Sequence, residues 1–202
     1  MELNILDWFQ TLHTPILDKI MTSITKLGDA GIFWIILTLL FLIIPKMRKT
    51  GIIMAAALIM DLLICNVAVK NLVARTRPYD VNTSVQLLVA KLHDYSFPSG
   101  HTAASFASVT ALYLAGEKKL WKPALVLACL IAVSRLYLYV HYPTDVLGGV
   151  VIGIIAGYLG YRLVTVLETK IFRTKNGGEQ DEHGKYNFNR TPVDDFSDPR
   201  NH

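Results

Sequence analysis

The chain is poor in charge and nearly free of cysteine. Charged residues make up 18% of its 202 positions against 52% hydrophobic. A soluble domain of this length would carry more charge and fewer long apolar runs. Cys65 and Cys129 are the two cysteines, and both fall inside apolar runs. Neither is expected as a disulfide partner or a metal ligand; a thiol in such a run acts as a small hydrophobe. No Asp/Glu cluster suggests a metal site, and no cofactor is expected. The basic residues form no nucleic-acid stripe, and the net charge of +4 is modest. The first apolar run lacks a basic leader and a small-residue cleavage site, so it is expected to be a retained anchor and not a signal peptide. No internal repeat or second domain is visible.

What the chain does have is apolar runs: Ala30–Pro45, Gly51–Val69, Thr102–Ala115, Pro123–Val140 and Val146–Val166. A helix needs roughly 20 apolar residues to cross a hydrocarbon core of about 30 Å. The run from Thr102 is the shortest and reaches that length only with Pro98–Gly100 at the interface. The expected fold is therefore an all-α polytopic membrane bundle of about five transmembrane helices, preceded by an N-terminal interfacial helix. Residues 1–26 place Ile5, Trp8, Phe9, Leu12, Ile16, Ile20 and Ile24 at helical spacing, divided by Pro15. That segment suits a helix or helix pair lying in the interface, or equally one packed on the bundle. Residues 27–171 form the expected transmembrane domain. Residues 172–202 mix Gly, Asn and charged residues without periodicity, as a disordered tail would.

Loop charges set the expected orientation. Lys46, Arg48 and Lys49, then Lys118, Lys119 and Lys122, then Arg162, Lys170, Arg173 and Lys175 all fall on one side of a five-span chain. The positive-inside rule makes that side, and with it the C-terminus, cytoplasmic. The connections Lys70–Phe97 and His141–Asp145 then face outward from a multi-pass protein of the plasma membrane. Within the first, the apolar patch Val85–Leu92 either guides a lipid head group or packs on the bundle.

Three polar clusters stand out, all at the outward face: Lys70-Asn-Leu-Val-Ala-Arg-Thr-Arg77-Pro78, then Phe97-Pro98-Ser99-Gly100-His101, then Ser134-Arg135 with His141 and Asp145. Charged groups near a membrane core are costly and usually serve a site. Singly, Lys70, Arg77 and Arg135 would read as side chains snorkelling to head groups. Converging at one depth, they call for an anion of about two charges, which a phosphate monoester supplies. Pro98-Ser99-Gly100 starts a helix whose free N–H groups suit the same anion. His101 and His141 lie on one face, whereas His13, His93, His183 and His202 read as surface residues. Asp145 is within reach of His141, where a carboxylate can fix one ring nitrogen as N–H and stabilise the imidazolium. Asp61, mid-span, is about 13 Å along a helix from Lys70, too far to pair, and is expected to hydrogen-bond across helices near Asn66. Arg75 is expected to touch head groups.

Together these clusters resemble the three-part signature of the type 2 phosphatidic acid phosphatases, over about residues 25–168, with no departure in spacing inside any part. The chain's brevity is similar to small bacterial members, including undecaprenyl diphosphate and phosphatidylglycerophosphate phosphatases. The resemblance implies a metal-free hydrolase of a membrane lipid phosphate. His141 would form a phosphohistidine, Asp145 would orient and charge-balance it, and His101 would protonate the departing oxygen and then activate water. Lys70, Arg77, Ser99, Gly100 and Arg135 would hold the phosphoryl oxygens. Transfer from the same phosphohistidine to an alcohol, or lipid-phosphate binding without turnover, are the alternatives. The lipid itself and the oligomeric state are not legible.

Overall fold

The computed structural model describes residues 1–176, and these form helices and connecting turns, with no strand among the described residues. The tail expected from residue 172 lies, from residue 177 onward, outside the described residues. His183 and His202 are beyond them too.

Pro15 starts a helix instead of interrupting one. Helix α1 covers Glu2–Gln10 and α2 covers Pro15–Gly28, with the Thr14 side chain accepting from Leu17 N–H at 3.3 Å as an N-cap. α2 breaks at Asp29–Gly31, where Ala30 and Gly31 take positive φ of 49° and 68°, and α3 runs from Ile32 to Ile43. After a turn at Pro45–Met47, α4 (Arg48–Asp61) widens into a π-helix over Leu62–Val69 and ends as α5 (Lys70–Val73). π-turns of this kind concentrate at functional sites; this one carries Lys70 at its end. α6 (Pro78–Val81), α7 (Gly100–Leu114), α8 (Trp121–Tyr137) and α9 (Pro143–Asn176) complete the order.

Three helical stretches among the described residues are long and apolar enough to cross a membrane: Pro15–Ile43, Pro45–Val81 and Pro143–Ile171. They contain two of the five apolar runs whole, Gly51–Val69 and Val146–Val166, and the run from Ala30 as far as Ile43. The other two runs form α7 and α8, of 15 and 17 residues. The exterior is apolar, with Ile36, Leu39, Ile43, Ile59, Leu63, Val126, Leu147 and Val151 all exposed. Inside sit Asp61, Lys70, Arg77, Arg135, His141 and Asp145. An apolar skin over a partly polar interior is the arrangement lipid favours.

Small residues let the helices close. Gly149, Gly153 and Gly157 of α9 lie against the carbonyls of Ser99, Ala103 and Ala107, so closely that a Cβ on Gly153 would be 2.4 Å from the Ala103 oxygen. Gly160 meets α4 in the same way, at Ala57. α7 also packs on α2, α4 and α8, and its N-terminal turn is thereby fixed at one end of the bundle.

α1 is not free of the bundle. Leu6 is fully buried with Tyr79, Tyr137, Leu138, Tyr139, Val140 and Tyr142, while Trp8 and Ile16 stay exposed. Val85, Leu87, Val89 and Leu92 pack on the same cluster, so the apolar patch of the loop between α6 and α7 takes the packing role. The Tyr79 hydroxyl pins that loop by donating to the Leu92 carbonyl at 2.9 Å and accepting its N–H at 3.1 Å.

Candidate active site

All eight residues singled out from the sequence gather at one end of the bundle. Lys70 leaves the end of the π-helix. Arg77 is fixed by the extended backbone before Pro78, the first residue of α6. Its Nη1 donates to the Val140 carbonyl at 2.8 Å and stands 3.3 Å from His141 Nε2. Arg135 comes from α8, is buried, and donates from Nη1 to Thr25 Oγ1 of α2. Its Nε has no partner. A buried, unpaired guanidinium N–H is costly, and a bound anion would satisfy it.

The cations already hold an anion that the sequence did not reveal. Asp94, in the loop between α6 and α7, pairs with Lys70 Nζ through one oxygen and with Arg77 Nη2 at 2.6 Å through the other. Arg77 Nε also donates to the Asp94 carbonyl at 2.8 Å. Partial burial would raise the Asp94 carboxyl, but Lys70 and Arg77 outweigh it and hold it down at about 2. The carboxylate thus stands where two cations of a phosphate cradle would meet their ligand.

Ser99 and Gly100 open α7. Ser99 is buried, its N–H donating to the Asp145 carbonyl at 3.0 Å and its Oγ accepting from Thr102 at 3.0 Å. A side chain at Gly100 would press on Asn66 Oδ1 at 3.1 Å and approach Lys70 Nζ at 3.8 Å, so glycine keeps this approach open.

His141 sits in the short turn between α8 and α9. Its Nδ1 lies 2.7 Å from the Ser96 carbonyl, which can only accept, so Nδ1 carries the proton and Nε2 is left with its lone pair. Asp145 Oδ2 is farther, at 3.6 Å. The Ser96 carbonyl is thus the nearer acceptor for the Nδ1–H, with Asp145 close enough on the same side of the ring to share in orienting it. Asp145 acts as a buried counter-charge beside the ring. Burial, with the nearby Arg135 and Arg77, lowers the His141 imidazole well below its ordinary value despite Asp145. A neutral ring whose Nε2 keeps its lone pair, here facing Arg77 Nη1, has the form of a nucleophile.

Asp145 is itself saturated. It accepts from Ser96 Oγ at 2.5 Å, Tyr142 N–H at 2.8 Å and Arg75 Nη1 at 2.7 Å. Arg75 lies over the Tyr142 ring and also pairs with Glu2 of α1 at 2.5 Å and with Thr144. It is a clamp on Asp145, which corrects its reading as a head-group contact. The signal available was its place two residues before Arg77, but its partners come from two distant segments, Glu2 of α1 and residues 142–145.

His101 is on the first turn of α7, and its Nε2 is 2.8 Å from Asp29 Oδ1. Two other expectations change. Asp61 is buried, yet its Oδ1 has no hydrogen-bond partner. His13 is not a bare surface residue: it stacks on Tyr137 at 4.4 Å and lies 3.2 Å from that residue's carbonyl oxygen. Among the described residues no three His, Cys, Asp or Glu side chains converge as a metal would require.

A cavity of about 630 Å³ runs from the site along α3 and α4. Lys70, Arg77, His101 and His141 line its polar end, and Ile35, Leu39, Leu42, Leu58 and Ile59 of α3 and α4 its apolar end.

Known proteins resemble this chain in sequence and fold. The family model described as the PAP2 superfamily matches residues 50–168. An undecaprenyl-diphosphatase of Sulfolobus acidocaldarius is 31% identical over 147 residues, 73% of this chain and 70% of that one. The undecaprenyl-diphosphatase BcrC of Bacillus subtilis is 33% identical over 159 residues, 77% and 79% of the two chains. Among solved structures, Aquifex aeolicus LpxE superposes with a TM-score of 0.69 at 29% identity, covering 80% of this chain and 94% of that one.

Proposed function

The chain belongs to the PAP2 superfamily and is a membrane phosphatase; from that premise we propose that it hydrolyses an outer-leaflet lipid phosphate or diphosphate without a metal, through a phosphohistidine. Undecaprenyl diphosphate is the favoured substrate, in keeping with the names of the relatives; phosphatidylglycerophosphate and phosphatidic acid come next. The observation that carries a lipid substrate is the cavity: its cationic end fits a phosphate and its apolar wall fits a tail.

In this mechanism Nε2 of His141 attacks phosphorus as the bond to the departing oxygen breaks, and His101 gives that oxygen a proton. Lys70, Arg77 and Arg135, with the N-terminal turn at Ser99 and Gly100, hold the phosphoryl oxygens as charge spreads onto them. Water then gives a proton to His101 and its oxygen to phosphorus, breaking the P–N bond and releasing inorganic phosphate. Asp145 balances the charge on His141 in between.

The five apolar runs serve as spans in this reading. The α3–α4 and α7–α8 turns meet at the end opposite the site, where Thr50 Oγ1 donates to Glu117 at 2.7 Å. Their lysines and arginines support a cytoplasmic end there and an extracytoplasmic site.

Phosphate release by the purified protein in detergent with EDTA, with His141→Ala as control, tests the proposal. The expected result is release from undecaprenyl diphosphate that vanishes in the variant. A metal requirement, or turnover surviving in the variant, would overturn the mechanism. Phosphate passing to an added alcohol in preference to water would make the protein a phosphotransferase.

A further inference from the structure

We infer that Asp29, carried by the break between α2 and α3, is a positioning residue for His101: its carboxylate holds the Nε2–H of the imidazole and leaves Nδ1 to exchange the proton with the departing oxygen and with water. This rests on the phosphatase reading above and extends it to a part of the chain outside the matched residues 50–168.

The local backbone is shaped for this contact. Gly28 ends α2 where a Cβ would stand 2.6 Å from His101 Cδ2 and 3.3 Å from Cγ. The ring is therefore seated directly against the main chain of α2, and any side chain at residue 28 would displace it. Asp29 leaves the helix with extended backbone (φ −60°, ψ 123°), and the next two residues both take positive φ. For Ala30 that conformation is disfavoured, and it persists here where the chain turns the Asp29 carboxylate onto Nε2 at 2.8 Å. Asp29 is also the one charged residue between Lys26 and Lys46. It interrupts an apolar stretch that otherwise reads as uninterrupted membrane helix.

The charge around His101 gives the contact a purpose. Lys70 at the end of the π-helix and Arg135 from α8 act on the ring as cations, with Asp29 the anion that opposes them. Arg77 and His141 line the same cavity. A histidine that must be protonated at bond cleavage is disfavoured as the cation first by burial and then by Arg135 and Lys70, so a carboxylate on its far nitrogen opposes them and raises the share of the acid form. The pairing also fixes the ring plane, which proton transfer needs as much as charge. The Asp29 side chain is 54% exposed, so its electrostatic effect is the modest one of a partly solvated pair.

The test uses the full chain in detergent. Phosphate release from undecaprenyl diphosphate is measured between pH 5 and 9 for wild type, Asp29→Asn and Asp29→Glu, with His141→Ala as blank. Asp29→Asn is expected to lower kcat about tenfold with KM within about twofold, and to move the alkaline limb of kcat to lower pH by about half a unit to one unit. Asp29→Glu is expected to restore most of both. An unchanged limb, or an effect confined to KM, would overturn the assignment. The His101 ring resonance, identified by its loss in His101→Ala, gives a readout independent of turnover: its titration midpoint is expected to fall in Asp29→Asn. A midpoint that does not move overturns the inference even where phosphate release is normal. Absent release with a shifted midpoint would instead count against the phosphatase reading alone.

Discussion

Replacing Asp94 by asparagine removes the carboxylate that occupies the cation cradle, and it should tighten the binding of phosphate. In wild type a phosphate must displace the Asp94 oxygens from Lys70 and from Arg77 Nη2 before it can use those donors. The two cations are 8% and 3% exposed, but the Asp94 side chain is 50% exposed, so the pairing is screened on one side. Exposed ion pairs contribute roughly 0.2–1 kcal/mol each; two of them on one half-solvated carboxylate come to about 1 kcal/mol. Asparagine keeps the shape and loses the charge, and the backbone contact from Arg77 Nε to the residue 94 carbonyl stays. The expected result is a KM, and an inhibition constant for inorganic phosphate, about fivefold lower. The pH dependence has a definite sign. Lys70 and Arg77 hold the folded-state carboxyl at about 2, below the ordinary 3.8. The stability from this pairing is therefore full above about pH 4 and lost as pH falls towards 2. Between pH 5 and 9 Asp94 stays charged, so the ratio of variant to wild-type constants should be flat. Weaker phosphate inhibition in Asp94→Asn would refute the reasoning, since it would make Asp94 an organiser of the cradle and not its competitor.

Arg75→Met should lower kcat about 10- to 100-fold with KM little changed, because Asp145 loses a charged donor worth about 1.5–3 kcal/mol; a change confined to the lipid KM would return Arg75 to the head groups. Gly153→Ala should lower the unfolding midpoint in detergent, since its Cβ would be 2.4 Å from the Ala103 carbonyl and overpacking costs about 1–3 kcal/mol; an unmoved midpoint would mean the α7–α9 contact is looser than described. A reporter fused after His202 should be active in the cytoplasm, and an external reporter would reverse the orientation proposed for the site.

Residues whose role follows from local sequence were legible; those whose partners come from afar were not. Lys70, Arg77 and Arg135 announce themselves as charges at the ends of apolar runs, and Pro98-Ser99-Gly100-His101 as a polar helix start, because lipid makes each exception expensive. Pro15 marked the division of the N-terminal segment for the same kind of reason: it removes a backbone donor at that residue alone. The π-helix over Leu62–Val69 leaves no such trace, since its composition is that of any apolar helix. The hold of Ser96 on His141 was invisible because it is made by a carbonyl, which every residue has. Asp94 resembled any loop acid, and only the packing of Val85–Leu92 under Tyr79 brings it to the cradle.

The N-terminal residues show why the matched region alone understates the site. Glu2 reaches Arg75 and through it Asp145; Asp7 accepts from Tyr139 and Asp18 from Tyr137, on either side of Leu138. Thr25 takes the Nη1 donor of Arg135, and Asp29 takes His101. Each contact lies on the polar side of α1 or α2, or at the break that follows. A charge pattern that looks like the wet face of an interfacial helix is therefore, in good part, a set of acceptors aimed at the turn bearing His141 and at the ring of His101. The packing reading of that segment is met by Leu6, fully buried against the turn, while the exposed Trp8 and Ile16 leave the interfacial reading open to them. With the proposed lipid substrate, a helix lying at the interface would be well placed to brace a site that takes its substrate from the same plane.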